Sequence, residues 1–414
     1  MIQKYIKFLA VIVLTSLAFN SFAGDDGHNH NDHAGHNHAD HSGHNHGADA
    51  SHADHKAHDT HAESAKFDPV NMIMHHIGDA NEFHIIGNEN TSLNLSLPLP
   101  IILLDKKEGL KMFMSSKFEH GHKAVDGYVM DHGIVKKIVG EFPAGVQEVT
   151  VHHGEVVFGA KHFATETKMT PLHWFNGEEA DPSFYDFSFT KIAFGMFLAV
   201  IVLLIIFMGM GSYYKKGNMI PKGIYSLLEP LILFVRDDIA VENIGAKKAD
   251  KFLPLLLTIF FFIWVNNLMG LIPIFPFSAN VTGNIAFTFV LSLVVMIVVN
   301  VSANKDYWMH MLWMPGVPTP MKLVMAPIEL VGIITKPFAL MMRLFANITA
   351  GHIIILSLVS LIFIFNSVAM SAVSVPFILF MNILEMLVAF LQAYIFTLLA
   401  ALFIGMAVAE HEHH

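Results

Sequence analysis

Polar and apolar residues are segregated along this chain. Up to about residue 188 the apolar positions come in short groups, and beyond it they fuse into runs near 189–211, 253–275, 285–303, 323–365 and 374–407. Each run suffices for a helix of about 20 residues to cross a hydrocarbon layer, and the last two are long enough for strong tilt. The expectation is an all-α polytopic membrane part with about five transmembrane helices. A further run, Ile224 to Ile244, is broken by Glu229, Pro230, Arg236, Asp237, Asp238 and Glu242. That mixture suits one interfacial helix lying along the membrane surface.

Upstream the periodicity is different. From about Phe67 to Asp186 there are alternating stretches such as Glu148-Val149-Thr150-Val151-His152-His153 and Glu155-Val156-Val157-Phe158, separated by Gly and Asn. These predict a small strand-containing extramembrane domain. At the start, Lys4 and Lys7 precede the apolar run Phe8–Phe19, and Ser21-Phe22-Ala23 puts small residues where a signal peptidase reads. The alternative is an uncleaved anchor, but the apolar core is short for a span, so a secretory signal is expected. Four segments follow: a signal peptide at 1–23, a low-complexity segment at 24–63, an extracytoplasmic domain at 64–188 and a membrane domain at 189–414.

The 24–63 segment repeats units such as Gly-His-Asn-His and carries His28, His30, His36, His38, His44 and His46 among its histidines. Such a tract builds no core. Imidazoles interleaved with aspartates predict at most weak binding of zinc, copper or nickel, since nothing there fixes a coordination shell. The pairs His75-His76 and His152-His153 lack a third ligand at a persuasive spacing.

Composition narrows the classes. Hydrophobic residues make up 53% of the 414 positions and charged ones 14%, with a mean hydropathy of +0.50. The net charge of -10 falls largely before residue 188, and no basic stripe points to nucleic acid. The absence of cysteine excludes disulfides, thiolate metal sites and cysteine nucleophiles. Lys215, Lys216, Lys222, Lys247, Lys248, Lys251, Lys305 and Lys322 fall on one side of the five spans, while the loops near 276–284 and 366–373 hold no Lys or Arg. The positive-inside rule makes the lysine side cytoplasmic, with the N-terminal domain outside and the C-terminus inside.

Candidate chemistry lies in the ionisable groups within the spans, each costing about 2.5 to 3.5 kcal/mol on insertion scales. In the run 323–365, Glu329, Lys336 and Arg343 recur every seven residues along one helical stripe, with Asn347 one turn further on that side. His352 points roughly the other way. Arg343 keeps its proton, which makes it a fixed charge, not a proton carrier. Glu385 and Gln392 are again seven apart on one face of the last run, and Glu385 has no cation nearby in its own helix. It can pair with His352 across the helix hairpin, or relay protons with it.

Arg343-Leu344-Phe345-Ala346-Asn347 followed by Ala350-Gly351, with Leu391-Gln392-Ala393-Tyr394-Ile395-Phe396 and Asn267-Leu268-Met269-Gly270-Leu271-Ile272-Pro273, resembles subunit a of F-type ATP synthases. The likeness runs from about Lys191 to Ala409. It implies that Arg343 is the stator arginine facing the c ring. It implies too that Asn267, Asn347, His352, Glu385 and Gln392 line a half-channel open to the outside, and that Glu329 sits near a cytoplasmic exit. Many bacterial members carry an acid where this chain has His352 and a histidine where it has Glu385, so the pair is exchanged. Gly270 stands where an acidic residue is often found.

The resemblance implies a proton-translocating stator subunit of the cell inner (plasma) membrane, with no catalytic site or cofactor of its own. Its partners would be the c-subunit ring, the b-subunit peripheral stalk, the rest of the complex and membrane lipid, with no nucleic acid. The alternative, a divalent-metal-binding or metal-transporting membrane protein, is suggested by the histidine tract alone.

Overall fold

The computed structural model describes residues 69–409, apart from 71–72, 74–76, 87–94, 132, 153–154, 160, 167–183, 218–219, 221, 273–276, 278, 314–317 and 366. The expected signal peptide, the histidine tract with His28, His30, His36, His38, His44 and His46, the His75-His76 pair, His153 and the C-terminal histidines lie outside the described residues.

The sheets of the N-terminal part are all antiparallel, with a 3-10 helix, Ser115–Gly121, between the fourth and fifth strands. In chain order its strands are β1 (Glu82–Ile86), β2 (Leu95–Pro98), β3 (Pro100–Asp105), β4 (Gly109–Met114), β5 (Lys123–Val125), β6 (Tyr128–Asp131), β7 (Ile134–Ile138), β8 (Val146–Glu148), β9 (Thr150–His152), β10 (Glu155–Phe158), β11 (Lys161–Glu166) and β12 (Phe184–Asp186). They form a β1–β2 pair, a seven-stranded sheet ordered β8-β5-β6-β7-β11-β10-β9, and a three-stranded sheet ordered β12-β3-β4. The part is richer in strands than the two alternating stretches of sequence indicated. The difference arises because most strands are only three to six residues long and are joined by tight turns, where period-two patterning hardly accumulates.

One core of this part joins Ile101, Leu103, Phe113, Phe118, Tyr128 and Phe184. At its edge Asp105 is buried with all its needs met. The Tyr128 hydroxyl donates to Oδ2 at 2.6 Å, Lys137 pairs with the same oxygen, and the backbone N–H groups of Lys107 and Glu108 donate to Oδ1 at 2.8 and 3.1 Å. Burial pushes the carboxyl pKa up, but these donors outweigh it and hold the group well below its ordinary 3.8.

The helices are α1 (Lys191–Lys215), α2 (Ile224–Phe234), α3 (Glu242–Ile244), α4 (Ala246–Leu271), α5 (Ile285–Ser302), α6 (Lys305–Leu312), α7 (Thr319–Phe365) and α8 (Val368–Val408), with a π-helical stretch Val235–Val241 between α2 and α3. α1, α4, α5, α7 and α8 are each long and apolar enough to cross a membrane, as the five runs of sequence predict. The broken run 224–244 is helical. Leu228, Val235, Ile239, Ala240 and Ile244 are buried, while Glu229, Arg236, Asp237 and Asp238 are left toward solvent or partly so. Within the bundle α4 is central, with Phe260, Phe261, Phe262 and Ile263 almost wholly enclosed, whereas α7 leaves most of its surface uncovered.

Two junctions hold the bundle ends. At the entry to α1 the Thr190 hydroxyl accepts from Ala193 N–H at 3.3 Å, Asp79 Oδ1 accepts from Ile192 N–H at 3.1 Å, and Ala80 O accepts from Lys191 N–H at 2.8 Å. Strand-part residues therefore satisfy amide donors that a helix start leaves unpaired. At the exit of α8, Val408 O accepts from Lys248 Nζ at 2.8 Å and Asn304 Nδ2 at 3.0 Å, and Ala407 O accepts from Asn304 N–H at 2.9 Å. One turn earlier, Gly405 lies so close to the Asn243 carbonyl that any side chain there would collide with it.

Candidate functional site

The candidate residues gather on α7, α8 and the end of α4. α7 and α8 pack through Leu344, Ile348, Ala393, Phe396 and Ala400, all buried in the bundle core. Their other sides are bare and apolar, with Phe338 57% exposed on α7 and Leu387 62% exposed on α8. Arg343 opens onto this uncovered side, and no hydrogen bond or salt bridge ties it to another described residue. A lone guanidinium on an apolar membrane face lacks both water and a counter-charge, so it calls for a partner from outside the chain.

One turn along, Asn347 reaches across the helix pair, its Nδ2 donating to Gln392 Oε1 at 3.1 Å. Gln392 is 2% exposed, and its own Nε2 has no hydrogen-bond partner among the described residues. About 13 Å beyond Arg343 along the helix, by the rise of 1.5 Å per residue, His352 Nε2 stands 3.9 Å from Glu385 Oε1. Glu385 is 5% exposed and neither of its carboxylate oxygens has a hydrogen-bond partner among the described residues. The structure thus brings together the imidazole and carboxylate that the hairpin argument paired.

Two glycines border this contact. A Cβ on Gly351 would sit 2.6 Å from Glu385 Oε1 and 3.0 Å from its Cδ, so a side chain there would displace the carboxylate from its present position. A Cβ on Gly270 would lie 3.7 Å from His352 Nε2 and 3.4 Å from Ala279 O, in ordinary contact with both, so position 270 borders the imidazole.

Asn267 lies beside this group but is already engaged. It is 3% exposed, accepts from Thr282 Oγ1 at 2.5 Å and donates through Nδ2 to Ala389 O at 3.4 Å. It ties α4 to α8 and to the segment before α5. Thr282 escaped sequence reading because a lone threonine in a connecting segment carries no pattern; Gly351 was noted only as part of the family motif, because its contact is with a side chain 34 positions away.

Toward the other end, Glu329 is half-buried on α7, about 21 Å from Arg343 by the same helical rise. Lys336 folds against α8 with Nζ 5.6 Å over the Phe403 ring, beside Tyr307 and Asn300. The seven-residue stripe thus separates into an uncovered arginine and two partly covered neighbours. Among the described residues no group of three or more His, Asp or Glu could hold a metal ion.

The arrangement offers an exposed permanent cation at mid-helix and, to one side of it, a buried carboxylate, a partly buried imidazole and a buried amide with an unused donor. A carboxyl and an imidazole are groups able to take up and release protons, whereas the amides only donate and accept hydrogen bonds; none is an activated nucleophile.

Comparison with known proteins bears on the whole stretch. Residues 193–405 match the family described as ATP synthase A chain, and residues 72–167 match a domain of unknown function (DUF8433). The chain is 49% identical over 234 residues to ATP synthase subunit a of Chloroherpeton thalassium, covering 55% of this chain and 69% of that protein. It is 38% identical over 315 residues to ATP synthase subunit a of Anaeromyxobacter sp. (strain Fw109-5), covering 71% of this chain and 74% of the relative. Against ATP synthase subunit a of Myxococcus xanthus the identity is 42% over 235 residues, with 55% and 76% covered.

Proposed function

The chain belongs to the ATP synthase A chain family, and on that premise we propose that it guides protons to and from a rotating c ring, with Arg343 as the fixed charge facing that ring. It is a multi-pass membrane protein. Protons enter through the polar group around Glu385, His352, Gln392 and Asn347, with Asn267 bracing the path, and reach a carboxylate on the ring. Protonation removes that carboxylate's charge, which lets it turn into lipid, because the ionised form is prohibitively costly there. After most of a turn it comes up to Arg343 again, whose charge favours its ionised form, and the proton leaves along the second path toward Glu329. The same cation keeps the two paths from joining.

The observation that carries this reading is the unpaired Arg343 on a bare apolar face, with a buried carboxylate and imidazole 3.9 Å apart on one side of it. The ring, the peripheral stalk formed by b subunits and the soluble catalytic part are the partners. The lysine distribution supports an N-terminal part outside the cytoplasm of the inner membrane and a C-terminus within it. A division near residues 188–189 accords with the separate matches of 72–167 and 193–405.

ATP-driven proton pumping in vesicles holding the complex with Arg343→Ala tests the reading. Loss of pumping with assembly intact is the expected result. Pumping near the parental rate would make Arg343 a packing residue and overturn the assignment.

A further inference from the structure

The β12–β3–β4 sheet has two apolar faces, and only one of them belongs to a core. Ile101, Leu103, Phe113 and Phe184 point inward and are buried. On the opposite face Leu104 is 41% exposed, Leu110 63%, Met112 64%, Met114 43% and Phe187 45%. The register makes these one surface. Leu104 lies across from Leu110, Ile102 from Met112 and Pro100 from Met114. Tyr185 lies across from Leu104, and the ladder continues through Phe187 N–H to Ile102 O at 2.8 Å and Phe189 N–H to Pro100 O at 3.1 Å. Residues directly opposite each other project to the same side, so all three strands present only apolar or aromatic side chains outward. A solvated face of an antiparallel sheet normally alternates to polar residues, and an apolar patch spread over three strands marks a contact surface.

The position of this face identifies what covers it. Phe189 ends the ladder and precedes Thr190, the N-cap of α1. Its ring lies 6.3 Å from Phe194 and 6.3 Å from Phe197, both on α1. Phe197 is 47% exposed on the apolar surface of that span. The outward face of the sheet therefore runs directly into the flank of a helix whose surroundings are hydrocarbon. The β3–β4 turn at its edge carries Lys106 and Lys107, both exposed, with Lys106 Nζ 6.0 Å from the centre of the Tyr185 ring. The acid of the same turn, Glu108, is paired with Lys111 at 2.7 Å. An apolar surface edged by lysines and aromatic rings at the mouth of a span matches a phospholipid surface, with phosphates at the rim and acyl chains beneath.

We propose that this sheet face rests on the lipid surface from which α1 emerges, so that the strand part is held to the membrane by a second, monotopic contact. The inference rests on α1 as a membrane span and is independent of any role of Arg343. It gives the strand part a fixed height and tilt above the bundle.

The chain has no cysteine, so a labelling site introduced into it is single, and the unsubstituted complex carried through the same labelling gives the background from other subunits. A fluorophore on Met112→Cys is compared with one on Val146→Cys, a position 56% exposed on the seven-stranded sheet, in the whole complex reconstituted in vesicles of phosphatidylethanolamine and phosphatidylglycerol. Leu110→Cys is a second site should Met112→Cys impair assembly. Seating about 5–10 Å into the headgroup boundary gives about threefold or greater quenching by lipid carrying a shallow nitroxide at 112 relative to 146, with protection from aqueous iodide. Equal access of iodide to both sites overturns the proposal. Protection from both quenchers overturns it too, and means that protein, either residues 167–183 or another subunit, covers the face.

Discussion

The strand part and the helix bundle each bury a carboxylate, and they treat it in opposite ways. Asp105 receives a tyrosine hydroxyl, a lysine and two backbone amides. Glu385 receives no hydrogen bond from the described residues, and the ionisable group paired with it is the His352 imidazole at 3.9 Å. A buried ion is costly unless its bonding capacity is filled, so the first group is complete and has nothing left to exchange. The second is incomplete as it stands and is completed by a proton, by water or by a passing group.

Removing each acid sharpens this contrast. Glu385→Gln keeps the volume but cannot bind and release a proton, and proton pumping should fall at least about tenfold, or 1.4 kcal/mol in barrier terms, while the complex still assembles. Undiminished pumping would break the contrast. Asp105→Asn should do the reverse. It strands Lys137 and weakens the strand part by about 3 kcal/mol, seen as faster hydrogen exchange at β3 and β6, with pumping per assembled complex unchanged.

Gly351→Ala tests whether space for Glu385 matters. The intruding methyl group should cost about 1–3 kcal/mol of overpacking and shift the pH profile of pumping, whereas a merely structural glycine would lower assembly alone. Acidification gives a smaller effect with a definite sign. Because Asp105 in the folded chain lies below its ordinary 3.8, the unfolded chain binds the extra proton. Stability is then full above about pH 4 and declines as the pH falls below it. Asp105→Asn should flatten that decline in an exchange-protection profile. The smallest effect is expected for Thr282→Ala, which removes one donor to Asn267 at about 1 kcal/mol and should lower thermal stability by a few degrees at most.

Much of this was legible in the sequence because the membrane imposes a simple rule. Apolar runs of sufficient length must be helices, and the helix ends fall within about seven residues of the runs, closest at 285–303 for Ile285–Ser302 and furthest at the start of α4, Ala246 against 253. Arg343, His352, Glu385 and Gln392 stood out because charge and amide groups are conspicuous against leucine. Their mutual contacts were partly legible: the hairpin brings His352 to Glu385, but the Asn347 to Gln392 bond depends on the rotation of two helices about their axes. The Asp105–Lys137 pair was not legible, since 32 residues separate its members and nothing local connects them. The outward row Leu110, Met112 and Met114 hid for a related reason. Period two shows which residues share a face but not that both faces are apolar and only one is in the core.

The clamp on the end of α8 has a mechanical meaning. Lys248 and Asn304 hold its last carbonyls, and Gly405 seats it against the backbone of Asn243. The α7–α8 hairpin is therefore a beam built in at one end, with its turn near residue 366 far from the support. If a partner pushes the hairpin sideways, its deflection is least at this support and grows toward the turn. Arg343 lies between support and tip and would be displaced less than the turn.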